Sequence, residues 1–73
     1  MDINIVLGEI KEFASECVWK YGRECIEAPD SVIMLYLKTL MPEGDFEIFL
    51  RFKEIMIEEF RKQAKEELEW LNS

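Results

Sequence analysis

Apolar residues recur at three- and four-residue steps along most of this chain, which is the period of amphipathic α-helices. Pro29 and the group Pro42-Glu43-Gly44-Asp45 are the clear breaks in this pattern, and they divide the chain into three segments. The sequence therefore predicts a single all-α domain over residues 1–73, with helices at about 3–27, 29–41 and 45–71. We expect the two long helices to pack antiparallel, with the short helix bracing them.

The segment from Asp45 to Leu71 carries more apolar residues than one buried face requires. The segment is predicted to form one long helix, and Asp45, a good N-cap residue, marks its start. A surface helix of a small protein needs only one apolar stripe. Here a second stripe lies beside the main one, and Lys53 interrupts the main stripe, where its stem can snorkel past apolar neighbours or its charge can pair across an interface. The second stripe consists of Ile48, Phe52, Ile55 and Trp70.

This second stripe predicts contact with another copy of the chain. Symmetric dimers are the commonest homo-oligomers, and we expect a homodimeric helical bundle. Its interface should centre on Ile48, Phe52 and Ile55, extended by Trp19 or Trp70. Aromatic residues are enriched at protein interfaces, although each Trp could equally close the edge of a core.

The start of the first segment allows two interpretations. Residues 2–7 alternate briefly and contain β-branched side chains, which are typical of strands. Ile3, Val6 and Ile10 also continue the apolar stripe of the first helix without a phase break, which favours a helix. A strand here would give an element order that resembles ribbon-helix-helix repressors, but no residue motif matches them and the outward positions are not basic.

The second segment opens with Pro29, which suits the first position of a helix, followed by Asp30 at the positive end of the helix dipole. Residues 32–41 are apolar except at Lys38 and Thr39. The sequence therefore predicts a short helix with little exposed surface.

Cys17 and Cys25 are eight residues apart within the first predicted helix. A straight helix would place their Cα atoms about 12 Å apart, whereas a disulfide needs a separation below about 7 Å. We therefore expect no bond between them: both are small buried apolar residues, or either one bridges to another chain. Unpaired thiols, with no basic region of a signal peptide at the start, indicate a reducing cytoplasm.

The size and the net charge of the chain limit the kinds of partner that it can bind. A domain of 73 residues needs reinforcement by disulfides, metals or association, and we expect association because 49% of the residues are hydrophobic. The net charge of −7 repels phosphate backbones and anionic membrane surfaces. No apolar run approaches the roughly 18 residues of a membrane span.

The sequence offers few groups for catalysis. It contains no His, so the commonest general base and the usual nucleophile pairs are missing. Adjacent carboxylates such as Glu58 and Glu59 diverge by about 100° on a helix and do not converge on a metal. We predict no catalytic, metal-ligating or cofactor-binding residue, and no enzymatic activity.

Three classes of function remain. The first is a small acidic cytoplasmic interaction module, such as an adaptor, inhibitor or regulator, that acts as a homo-oligomer and binds another protein. The second is a dimeric DNA-binding regulator with an amino-terminal strand followed by helices. The third is a helical bundle whose core binds an apolar ligand.

Overall fold

The structure is a computed structural model that describes residues 2–73. These residues form helices without strands, so the predicted all-α class is confirmed. The helices do not have the predicted bounds, because two of the three expected helices are broken. The elements are α1 (Ile3–Tyr21), α2 (Glu24–Glu27), α3 (Asp30–Leu40), α4 (Glu43–Arg51) and α5 (Lys53–Asn72).

Helix α1 begins at Ile3, where the sequence allowed either a strand or a helix. Asp2 is extended and acts as the N-cap, and its Oδ1 accepts a hydrogen bond of 3.0 Å from the backbone N–H of Asn4. The helix prediction for residues 3–7 is confirmed. The alternative interpretation of this segment as an amino-terminal strand, on which the DNA-binding hypothesis depended, is wrong.

The predicted helix over 3–27 is interrupted at Gly22. This residue adopts φ 64° and ψ −137°, a conformation that is open almost only to glycine. Its N–H donates to the Val18 carbonyl and closes α1, and the chain then forms the single turn of α2. The chain therefore turns at Gly22, and α2 is not an extension of α1.

This turn brings Cys17 and Cys25 into a disulfide, with their Cα atoms 6.1 Å apart. The prediction that they cannot bridge is wrong because it assumed a straight helix through both residues. Both sulfur-bearing side chains are buried. A small domain is thus reinforced by a covalent bond. The paired cysteines also remove the basis for inferring a reducing compartment, since disulfides persist mainly in oxidising ones.

Helix α3 starts at Asp30, one residue later than predicted, with Pro29 in the N-cap position. Ile33 and Leu37 are buried on its inner face. The expectation of little exposed surface is wrong: Val32, Leu35 and Leu40 all face solvent. Helix α3 therefore buries one apolar face and leaves further apolar residues exposed on its outer side.

The predicted single helix over 45–71 is also wrong. Helix α4 already begins at Glu43, and the chain leaves helical geometry at Phe52, with φ −118° and ψ 34°. The N–H of Phe52 still bonds the Ile48 and Phe49 carbonyls, and α5 begins at the next residue. The break changes the rotational phase, so that apolar residues on both sides of it reach one core.

The core is one contiguous cluster, and the packing of α1 along α5 makes the most extensive contact between elements. No polar or charged residue in 2–73 is buried as a whole. The largest fully buried side chains are Phe49, Phe60, Ile10, Leu37, Met56 and Val6.

Candidate functional site

The junction between α4 and α5 exposes a cluster of apolar side chains. Leu50, Phe52 and Ile55 are 45%, 41% and 59% exposed. They line an open depression of about 320 Å³ together with charged neighbours. We call these three residues the junction cluster. The charged residues of the depression are Arg51, Lys53 and Glu54.

The predicted interface needs one correction at this point. Ile48 is only 8% exposed and belongs to the protein's own core, because the break at Phe52 turns the end of α4 inward. A second chain could not reach it. Phe52 and Ile55 remain accessible, and Leu50 joins them. Lys53 lies on the exposed side of the helix and not in a buried stripe.

The two tryptophans lie elsewhere on the surface. Trp19 on α1 is 64% exposed and Trp70 near the end of α5 is 67% exposed. Neither is among the residues that line the depression at the junction. The structure therefore brings together only part of the residue set that the sequence suggested.

A second concavity, which we call the aromatic pocket, lies between α1, α2, α3 and α5. It has a volume of about 260 Å³. The disulfide forms part of its wall, and apolar and aromatic side chains form most of the rest. Its lining residues are Cys17, Tyr21, Glu24, Cys25, Ala28, Val32, Ile33, Tyr36 and Phe60.

Tyr36 occupies the centre of an aromatic chain in this pocket. Its ring centroid is 6.4 Å from those of both Tyr21 and Phe60, in edge-to-face geometry. Its phenolic oxygen is shielded from solvent and has no hydrogen-bond partner among residues 2–73. Burial, followed by the negative charge of Glu16 and by Tyr21, raises the pKa of Tyr36, so the phenol stays protonated.

One polar clamp joins α5 to α2 and α3. The guanidinium of Arg61 on α5 donates to the Ile26 carbonyl at 2.6 Å, at the end of α2, and also pairs with the Asp30 carboxylate at the start of α3. This fork joins three elements through one side chain. The exposed ion pair contributes little by itself, but the bond to the carbonyl fixes the connection between α2 and α3.

A pair of carboxyls forms a second unusual feature, between α1 and α4. The pair consists of Glu9 on α1 and Asp45 on α4. Glu9 Oε2 is shielded from solvent and has no hydrogen-bond donor beside it when both carboxyls are ionised. Burial, a hydrogen bond with Asp45 and the charges of Asp45 and Glu12 together raise the pKa of Glu9 to about 7. A bond between two carboxyls requires a proton on one of them, and Glu9 carries this proton below about pH 7 and loses it above.

Other chemistry has little support in the part of the chain that the structure describes. No group of three or more His, Cys, Asp or Glu side chains is arranged to hold a metal ion there. No helix in residues 2–73 combines the length and the apolar character needed to cross a membrane.

Sequence reasoning missed the aromatic pocket entirely. Its walls come from four helices, and the turn at Gly22 that assembles them was not foreseen. The glycine itself was the available signal, since glycine commonly ends helices. The Glu9–Asp45 pair was missed because it depends on the tertiary packing of α1 against α4.

Comparison of the chain with protein-family models, curated proteins and solved structures finds no match.

Proposed function

We propose that this chain is a small acidic protein-interaction module that acts as a homo-oligomer. The observation that carries the proposal is the junction cluster, in which Leu50, Phe52 and Ile55 are exposed side by side. Contiguous exposed apolar surface on a small protein marks an interaction site more often than scattered single residues do. The chain has few alternatives, since it lacks His and carries no obvious catalytic constellation.

The occupant that we propose for the junction cluster is a second copy of the chain. Its surroundings carry both signs of charge within four residues, from Arg51 to Glu54. In a twofold contact, each residue faces the equivalent surface of the other protomer. Arg51 of one protomer can then lie against the partner's Glu54 while the apolar residues are buried together. Electrostatic complementarity of this kind favours the correct register.

The overall charge bears on any further partner. A net charge of −7 favours association with a basic surface and disfavours nucleic acid. We propose that the assembled module presents its acidic faces to a basic target protein while the junction cluster is buried between protomers.

Sedimentation velocity at micromolar to tens of micromolar concentration tests the proposal. We expect the wild-type chain to sediment as a dimer and Phe52→Glu to sediment as a monomer, because a charge would be buried at the centre of the contact. Leu35→Glu is the matched control: Leu35 is 65% exposed on α3, outside the depression, so this variant should still dimerise.

Circular dichroism of both variants would verify that each remains helical. A monomeric wild type over this concentration range would contradict the proposal. So would equal dissociation of the two variants, because the contact would then not lie at the junction cluster.

A further inference from the structure

We propose that the protonated carboxyl of Glu9 acts as a latch that holds α4 against α1, and that loss of its proton makes α4 open locally more often. In this open form α4 leaves its neighbours while α1 and α5 stay packed together. The inference goes beyond the proposed self-association and does not depend on it. The boundaries of α4, its limited packing and the carboxyl pair that links it to α1 support the proposal.

Helix α4 lies between two residues at which the chain leaves helical geometry. Pro42 precedes it with φ −56° and ψ 147°, and Phe52 follows it with φ −118° and ψ 34°. Pro42 has no side-chain group that could cap the first N–H groups of the helix. A helix of nine residues is also too short to be stable alone, since isolated helices shorter than about 12–15 residues are marginal in water. Once it leaves its neighbours, α4 would therefore unfold as one segment between these two residues.

The packing of α4 against the other helices is much less extensive than that of α1 against α5. Its buried side chains are Ile48 and Phe49. Exposing these two side chains costs free energy, so the open form is rare at any pH. Segments with few buried apolar contacts are nevertheless the ones that open locally while the rest of a protein stays folded. We therefore expect α4 to open more often than the core between α1 and α5.

A polar link between α4 and α1 is formed by the carboxyls of Asp45 and Glu9. Asp45 lies in the first turn of α4, where the helix dipole favours a charged carboxylate, so the proton of the pair resides on Glu9. In this state Glu9 donates a hydrogen bond to Asp45 across the contact between the helices. Without the proton, two carboxylates face each other, and the shielded Oε2 of Glu9 has no donor beside it. The contact then becomes repulsive.

The charges around the pair act in the same direction. Glu12, one turn along α1, adds negative charge beside Glu9. Neither carboxyl of the pair forms an ion pair with a Lys or Arg among residues 2–73, so α5, which packs along α1, supplies no cation at ion-pair distance. Burial, the hydrogen bond with Asp45 and these negative charges raise the pKa of Glu9 to about 7. The chain contains no His, the side chain that ordinarily titrates in this range.

Hydrogen–deuterium exchange followed by ¹H–¹⁵N NMR at pH 6 and pH 8, at one protein concentration, tests the latch because it detects rare openings. Phe46 and Phe52 report on α4, since their N–H groups bond carbonyls at its start and its end. Their protection, relative to intrinsic exchange, should fall about tenfold in wild type between these pH values. Linkage gives this factor for a Glu9 pKa of about 7 in the closed form and 4.5 in the open form. Both should be less protected than Phe60 in the core of α5.

Two variants assign the effect. Glu9→Gln keeps a donor for Asp45 but cannot ionise, so the protection of α4 should be the same at both pH values. Glu47→Gln is the matched control, because it removes one carboxylate from the exposed side of the same helix and Glu47 is not among the groups that shift the pKa of Glu9. This variant should retain the wild-type fall in protection.

Three results would overturn the proposal: equal protection of α4 at both pH values in wild type, a fall that persists in Glu9→Gln, or protection of Phe46 and Phe52 as high as that of Phe60. Loss of the fall in Glu47→Gln would also overturn it, because the total charge of α4, and not the carboxyl pair, would then control the opening.

Discussion

Reduction of the Cys17–Cys25 bond should remove a large part of the stability of this domain. The two cysteines are separated by eight positions, so the bond closes a short loop. The chain-entropy relation for such a loop gives about 2.5 kcal/mol at 25 °C. Domains commonly have a free energy of unfolding of roughly 0.05–0.15 kcal/mol per residue. For a chain of 73 residues this range is about 4–11 kcal/mol, so the bond supplies between about a fifth and two-thirds of the total.

Reduction is a cleaner perturbation than substitution here. Both cysteine side chains lie in the core, and reduction removes no heavy atom, although the two sulfurs must move apart. The change in the free energy of unfolding therefore reports the constraint on the unfolded chain and not a new cavity. Replacement by Ala would add the loss of buried sulfur contacts to the same effect.

The assay is urea unfolding of the oxidised and reduced protein, followed by circular dichroism. Small proteins have urea m-values near 1 kcal/mol per molar at the low end, so a loss of about 2.5 kcal/mol should lower the urea midpoint by about 2.5 M on reduction. Mass spectrometry with a thiol-alkylating reagent would confirm that two thiols are free after reduction and none before.

The doubly substituted protein, Cys17→Ala with Cys25→Ala, is the control for side effects of the reductant. Its midpoint should lie at or below that of the reduced protein and should not change when reductant is added. An identical midpoint for fully reduced and untreated wild type would refute the reasoning. Free thiols in protein purified without reductant would refute the bond itself.

Three further predictions concern single residues. Gly22→Ala should destabilise the fold by about 1–3 kcal/mol, because Gly22 has φ 64° in a conformation that is open almost only to glycine. Gly8→Ala should stabilise it by about 0.5–1 kcal/mol, because Gly8 lies within α1 and an added Cβ would meet no other atom. Chemical unfolding measures both changes. The folded-state pKa of Glu9 is raised to about 7 from 4.5, so its contribution to stability is present below pH 4.5 and is lost as the pH rises through 7. Glu9→Gln, whose amide can donate to Asp45, should therefore be about 1 kcal/mol more stable than wild type at pH 8 and show little gain at pH 5; equal gains at both pH values would contradict the loss of the Glu9 proton between them. Arg61→Lys loses the fork and should lower the free energy of unfolding by about 1 kcal/mol; an unchanged urea midpoint would show that the fork is dispensable.

The helical class and the start of α1 could be predicted from the sequence because they depend on local periodicity. The apolar stripe through Ile3, Val6 and Ile10 runs in one phase, and a helix places it on one face. The positions at which the helices end are harder to predict from the sequence. Gly22 was visible as a weak helix former, but its positive φ, which turns the chain, depends on the packing of the residues after it.

The break at Phe52 could not be predicted from composition, since neither glycine nor proline marks it. The pattern around it is compatible with a continuous helix. The packing decides otherwise: Ile48 and Phe49 before the break and Met56 and Ile57 after it are all buried in one cluster. In a continuous helix Phe49, Met56 and Ile57 would already share one face, so the break adds the burial of Ile48, worth roughly 1.5–3 kcal/mol, against the loss of helical geometry at one residue.

The same break explains why only part of the candidate interface could be predicted from the sequence. A straight helix would place Ile48, Phe52 and Ile55 on one outward stripe, which would demand a partner for all three. The chain instead turns Ile48 into its own core and so covers part of its apolar surplus by itself. Phe52 cannot follow, because it is the residue at which the helix breaks, and Leu50 and Ile55 remain on either side of it. The apolar surface left at the junction is therefore a by-product of how α4 and α5 share one core, and a partner bound there would cover the side chains that this fold has no room to bury.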